Sequence, residues 1–234
     1  GGSAVSESWT GSLAQNDTAT FTFSTAFTTT LGTVYSLKVW SEAPNGGSDA
    51  FTNNDTITQT VSPKMNGTYT VNASGSGATN FTTFALCSTA LAVNGVSGPV
   101  TINVAPATYT GQVIIPAISG ASAVNTVSID GGSASTTILT APTTTVTTTH
   151  TIRLNGSAYV NLRNLTIRGT NATYGWPMHI MNSNNIKVRN CAINFVGATN
   201  SLPTSTNFHA VVVNNSTSSY TTAYAATNID IDSN

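Results

Sequence analysis

The stretch VNLRNLTIRG, residues 160–169, is followed by IKVRNCAINF, residues 186–195, and the two superimpose position for position. Val160 falls on Ile186, Leu162 on Val188, Arg163 on Arg189, Asn164 on Asn190, Leu165 on Cys191 and Ile167 on Ile193, each at an offset of 26 residues. The match extends backward, with Ile152, Arg153 and Leu154 on Met178, His179 and Ile180, and Gly156 on Asn182. It returns in NIDIDSN at the end of the chain, where Ile229 falls on Ile186 and Ile231 on Val188. Alternating strands repeated at this period, with Asn, Gly and Ser between them, predict a β-solenoid whose coils pair about 4.8 Å apart. Equivalent residues must then stack in columns, and that is why the sequence copies itself.

The columns assign roles. Val160, Leu162, Leu165 and Ile167, with Ile186, Val188, Cys191 and Ile193, are expected to point inward, each contributing roughly 1.5–3 kcal/mol when fully buried. Asn164 and Asn190 are expected where the coil turns, because Asn tolerates left-handed backbone, and their amides are expected to form a short ladder. Outside, Asp230 should lie over Lys187 and Asp232 over Arg189, exposed pairs worth about 0–1 kcal/mol each. Cys191 replaces a leucine in an interior stack, whereas Cys87 belongs to a different element several coils away. That separation exceeds the roughly 7 Å Cα limit for a disulfide, so two free buried thiols are expected.

Residues 1–62 read differently. TATFTF (18–23), VYSLKVW (34–40) and TITQTV (56–61) alternate like half-buried antiparallel strands. Three or four strands fall short of the roughly seven of a β-sandwich, so the segment reads as the C-terminal part of an immunoglobulin-like module, ending in a linker at Pro63. Residues 63–234 read as a β-solenoid continuing beyond Asn234, because the chain stops in mid-coil. A helix is predicted in TNFTTFALCSTALAVNG, where Phe81, Phe84, Cys87 or Ser88, and Leu91 recur at helical spacing. Thr79 or Asn80 would cap it and Gly95 would stop it. It would close the open first coil. The fold class is therefore all-β, a β-solenoid with an N-terminal capping helix, preceded by a partial immunoglobulin-like sandwich.

Composition narrows the functions. Only 6% of residues are charged, against about 25% in average proteins, so hydroxyls and amides must build the surface. Residues 1–63 carry one lysine against five carboxylates, and residues 64–234 carry six cations against three. This mild asymmetry, with no recognisable motif, gives no reason to expect nucleic acid. No apolar run is long enough for a membrane span. The absence of an initiating Met is read as a processed chain or a fragment.

NGTYTV, the run from Asn80 to Gly131 containing GVSGPVTINV, and IRLNGSAYVNLRNLTIRG together resemble the right-handed parallel β-helix modules of large secreted surface proteins in the Bacteroidetes. These include adhesin-like substrates of the type IX secretion system. YSLKVWSEAPNGGSDAFTNNDT is similar to the end of the immunoglobulin-like repeats that precede such modules. The resemblance implies that residues 63–234 form a right-handed parallel β-helix, in an extracellular, multi-domain chain whose partners are further domains of the same polypeptide. Asp17-Thr18-Ala19 and Asp55-Thr56-Ile57 resemble the Asp-Thr-apolar O-glycosylation sites of those proteins, with Thr18 and Thr56 as acceptors.

Catalytic chemistry on a β-helix needs closely placed carboxylates, or an acidic calcium cluster beside a base. The solenoid region holds Asp130, which stands alone beside two glycines, and Asp230 and Asp232, which are assigned to ion pairs. No cofactor is expected, and the three histidines lack metal-ligand spacing. A calcium site is conceivable at Asp49, Asn53, Asn54 and Asp55, against the plainer reading of a polar hairpin turn. The tract TTTVTTTHT (143–151) does not recur on the next coil, which argues against an ice-binding array and for a polar excursion or strand edge. Tyr174 and Trp176, with Arg168, are candidate glycan contacts in an inter-coil insertion, although Trp176 beside Pro177 reads equally well as packing. The sequence thus leads to a non-enzymatic extracellular protein acting in adhesion or as a stalk. Partners are surface glycans or further copies of the chain. The alternatives are a carbohydrate-binding module or an unusual polysaccharide-active enzyme.

Overall fold

The computed structural model describes the chain apart from residues 1, 15, 44–45, 49–52, 54, 144, 146–147, 171–174, 198–207, 220–221, 223 and 225. An antiparallel ribbon comes first, β1 (Tyr35–Trp40) against β2 (Thr56–Val61), with Tyr35 opposite Val61. The solenoid strands follow: β3 (Met65–Val71), β4 (Asn80–Phe81), β5 (Val96–Val104), β6 (Ala107–Thr110), β7 (Val113–Ile115), β8 (Val127–Asp130), β9 (Thr137–Pro142), β10 (Ile152–Asn155), β11 (Ala158–Arg163), β12 (Thr166–Thr170), β13 (Met178–Met181), β14 (Asn184–Arg189), β15 (Ala192–Val196), β16 (Val211–Asn214) and β17 (Ile229–Asp232). One helix, α1 (Phe84–Asn94), interrupts them.

The strands wind into about five turns of a parallel β-helix with three faces. The first face has the order β4-β3-β5-β8-β11-β14-β17, the second β6-β9-β12-β15, and the third β7-β10-β13-β16. Every pair within them is parallel. The 26-residue repeat is the coil-to-coil register on all three faces: Ile152 pairs with Met178, Val160 with Ile186 and Ile167 with Ile193. Other coils are longer. Val127 pairs with Val160 and Ile186 with Ile229, so the offset widens to 33 and then 43 residues. The added residues fall between strands, where they leave the ladders intact.

Burial follows the columns. Val100, Val127, Val160 and Ile186 form one interior stack, and Ile102, Ile129, Leu162 and Val188 the next; all are at most 1% exposed. Leu165 and Cys191 are buried in the same core, and both cysteines are free. Burial pushes the Cys87 thiol up to about 12 and the Cys191 thiol upward as well, so neither is a ready nucleophile.

The corners depend on left-handed backbone. Asn164 (φ 58°) and Asn190 (φ 53°) adopt it, as do Gly156 (φ 69°) and Asn182 (φ 49°) at another turn. The side chains depart from the expected Asn164–Asn190 ladder, since Asn164 Nδ2 donates to Asp130 Oδ1 at 2.7 Å. One coil earlier the same corner holds Gly131, where a Cβ would sit 2.2 Å from the Asn164 carbonyl oxygen.

Helix α1 begins later than the spacing predicts. Thr83 is its N-cap, with Oγ1 accepting from Leu86 N at 3.2 Å, and Gly95 ends it. Asn80 and Phe81 instead pair with β3, and the Asn80 side chain bonds Thr70 and the Asn72 carbonyl. Strand pairing has claimed the residues that would have opened the helix. Phe84, Cys87, Ala90 and Leu91 bury against the core, and Phe84 meets Tyr109 edge-on at 5.2 Å. In residues 1–62 the expected strands at 34–40 and 56–61 form β1 and β2, but 18–23 forms none. Phe21 and Phe23 lie edge to face there and stay about 40% exposed.

Two substitutions probe this packing. Leu165→Ala removes a fully buried side chain and should cost about 2–5 kcal/mol. Gly131→Ala drives a Cβ into a backbone carbonyl that paired strands hold in place, and should cost at least as much as a typical core truncation. Urea unfolding midpoints read both, and an unchanged midpoint for Gly131→Ala would contradict the corner geometry.

Candidate functional site

The residues singled out in the sequence are dispersed. Of the calcium candidates, Asp49 and Asn54 lie outside the described residues, Asn53 is exposed, and the Asp55 carbonyl accepts from Ser41 N at 3.1 Å. Among the described residues no group of three His, Cys, Asp or Glu side chains could hold a metal. Thr18 and Thr56 are both exposed. Tyr174 lies outside the described residues. Trp176 is 3% exposed, with its ring edge-on to His179 at 5.3 Å, so its face is not open to a sugar. Arg168 donates from Nε to Asn194 Oδ1 at 3.3 Å on the second face.

Two of the three solenoid acids, Asp130 and Asp230, are engaged by cations. Asp130, solitary in the sequence, accepts from Arg163 Nε at 2.8 Å, from Asn164 and from Gly132 N at 2.9 Å. Partial burial pushes its carboxyl upward, but the Asn164 and Gly132 hydrogen bonds and the Arg163 charge outweigh this and hold it below its ordinary value. At the other end the register is as expected, Lys187 beside Asp230 and Arg189 beside Asp232. The ion pair nevertheless runs diagonally, Arg189 Nη2 to Asp230 Oδ2 at 2.5 Å. The longer guanidinium reaches across the strand and takes the carboxylate nearest the lysine.

Two polar arrangements emerge that residue spacing alone did not reveal. The first is buried on the outer side of the third face. Arg153 and His179, neighbours in register, would face solvent there, yet they are 8% and 0% exposed. The ends of the threonine tract are buried with them: Thr143, Thr149, His150 and Thr151 are all buried, Thr145 is exposed, and Trp176 N donates to the Thr149 carbonyl at 2.7 Å. Arg153 donates from Nε to His179 Nδ1 at 3.1 Å and pairs through Nη2 with His150 Nδ1 at 2.8 Å. A guanidinium can only donate, so both imidazoles accept at Nδ1 and carry their proton on Nε2. His179 Nε2 thereby donates to Asn214 Oδ1 at 2.7 Å, whereas His150 Nε2 is buried with no hydrogen-bond partner among the described residues.

The second arrangement is an open groove of about 320 Å³ on the outer side of the first face. Ala123, Thr126, Tyr159, Asn161, Asn185, Lys187 and Asn228 line it. Tyr159, Asn185 and Asn228 immediately precede the paired residues Val160, Ile186 and Ile229, and all three are left-handed, at φ 57°, 54° and 56°. The asparagine ladder is found here: Asn228 Nδ2 donates to Asn185 Oδ1 at 2.8 Å. Asn161 and Lys187 sit side by side in the next outward column, and Asn161 Nδ2 donates to Ser128 Oγ at 3.1 Å. The groove is therefore made by two adjacent columns crossing successive coils.

No family model matches the chain, and neither do the curated proteins or the solved structures. The geometry carries the functional argument by itself.

The buried histidines make stability depend on pH. Burial, reinforced by Arg153 and His179, lowers His150 from 6.5 to about 3; for His179 burial and Arg153 outweigh the Asn214 hydrogen bond and lower it to about 4. The unfolded chain takes up protons at these sites as pH falls below 6.5, and the folded chain does not until much lower. Stability is thus fully present above about pH 6.5 and is lost as pH falls toward 4 and 3. Urea midpoints measured across this range should drop, and His179→Gln should flatten the drop. A profile that stays level from pH 7 to 4 would contradict the assigned protonation states.

Proposed function

We propose that this chain is a non-enzymatic extracellular surface protein whose solenoid acts as a stalk or adhesive module. The observation that carries this reading is the unbroken parallel pairing of the first face from β4 to β17 over one continuous interior. Such a rod resists bending, because deforming it strains backbone ladders and core stacks together. The engagement of Asp130 by Arg163 and of Asp230 by Arg189 also supports it, since each carboxylate is committed to a cation that stabilises a corner or a coil end. On this reading the coil is right-handed, α1 caps its N-terminal end, and residues 1–62 are the close of an immunoglobulin-like repeat. Its setting is a larger chain of the Bacteroidetes type IX secretion kind. A second reading, a carbohydrate-binding module, draws on the amide- and tyrosine-lined groove of the first face.

Intact mass and peptide mapping of the native protein, with its cellular location, test the proposal. The expected result is an extracellular species well above 24.0 kDa carrying hexose on Thr18 and Thr56. An unmodified 24.0 kDa chain confined to the cell interior would contradict it. Incubation with neutral and acidic polysaccharides should release no reducing ends or unsaturated products; sustained release would make the chain an enzyme.

A further inference from the structure

We propose that the groove formed by Tyr159, Asn161, Asn185, Lys187 and Asn228 is a binding subsite for a uronic acid residue of an acidic polysaccharide. The inference rests on the carbohydrate-binding reading above and leaves the stalk reading untouched. At about 320 Å³ the groove falls at the small end of the roughly 300–1,000 Å³ range of ligand sites. That suits one or two sugar units lying across the coils.

The lining supplies what a pyranose requires. Asn185 accepts from Asn228 through Oδ1, which leaves its NH₂ group to donate; Asn161 donates to Ser128 through Nδ2, which leaves its Oδ1 to accept. A donor and an acceptor fixed on adjacent coils match the alternating demands of neighbouring sugar hydroxyls. Both amides are held by hydrogen bonds within the solenoid, so little ordering remains for a ligand to impose.

Tyr159 is the unusual member. On the two following coils the same position holds Asn185 and Asn228, the residue type best suited to a left-handed corner, and on the preceding coil Thr126, yet this coil places an aromatic side chain at φ 57°. An asparagine or glycine would serve the corner with less strain. An aromatic ring held in a sparsely populated conformation beside a polar groove has a functional rationale instead, because the ring offers a flat apolar face to a sugar.

Lys187 sets the charge preference. Asp230 is its register partner, but the Asp230 carboxylate is turned to Arg189, and among the described residues Lys187 has no carboxylate within ion-pair distance. The diagonal Arg189–Asp230 pair therefore leaves an exposed ammonium at the groove beside the two amides. A neutral sugar would leave that charge unanswered, whereas a uronate carboxylate would pair with it.

The test is an NMR titration of the full chain with the methyl glycosides of galacturonic and glucuronic acid, with their methyl esters, and with methyl glucoside. The expected result is movement of the Asn161, Asn185 and Asn228 side-chain amide signals. At least one acid should bind roughly tenfold or more tighter than its ester. Lys187→Gln should remove that preference, and Tyr159→Gly, which accommodates the left-handed corner, should weaken both acid and ester while the rest of the spectrum is preserved. Equal affinity for acid and ester, or an unchanged preference in Lys187→Gln, would overturn the uronate assignment and leave carbohydrate binding standing. Silence of the groove signals to about 10 mM of every probe would overturn both.

Discussion

Parallel backbone pairing between consecutive coils is the constraint from which the rest of this structure follows. Once β11 lies in register with β14, every residue of one coil has an assigned neighbour in the next. Apolar positions become interior stacks and turning positions become columns of left-handed residues. Length can be added only where no ladder is interrupted, and so the coil offset widens from 26 to 43 residues through loops while the paired strands keep their order.

The same stacking organises polar chemistry. On the first face, outward columns bring amides, a tyrosine and a lysine from successive coils to one groove, although they are far apart in sequence. On the third face, Arg153 and His179 belong to an outward column but are covered by inserted loops. Burying a guanidinium without a carboxylate is unfavourable unless its donors are satisfied, and two neutral imidazoles accept from it here. The cover and the buried cation thus depend on each other: lifting the loop that carries His150 would strip Arg153 of an acceptor. This ties the third face to acid pH, while the first face stays open.

Much of the solenoid was legible in the sequence because stacking makes sequence repeat. The pairing of Val160 with Ile186, the inward columns, the left-handed corners at Asn164 and Asn190 and the burial of Cys191 all follow from one alignment of the chain on itself, while Cys87 follows from the helical spacing around it. What escaped is what does not repeat. The threonine tract reads as a polar excursion, and Thr145 is exposed, yet His150 at its end is buried and bonded to Arg153. Asp130 looked solitary because its partners, Arg163 and Asn164, arrive from the next coil. The diagonal reach of Arg189 depends on side-chain length rather than register, and although the alignment of NIDIDSN places Asn228 on Asn185, their ladder depends on side-chain hydrogen bonds that alignment does not give. The groove combines both difficulties, since it needs the register first and the side-chain hydrogen bonds second.

The central claim is the coil register, and interstrand proton contacts measured by NMR test it most directly. The account expects amide-to-α-proton contacts of the parallel kind joining residues 158–163 to 184–189 at an offset of 26, with continuation from 186–189 to 229–232 at 43. Antiparallel contacts between these segments, or parallel contacts at another offset, would contradict the register. The columns, corners and groove built on it would then fall together.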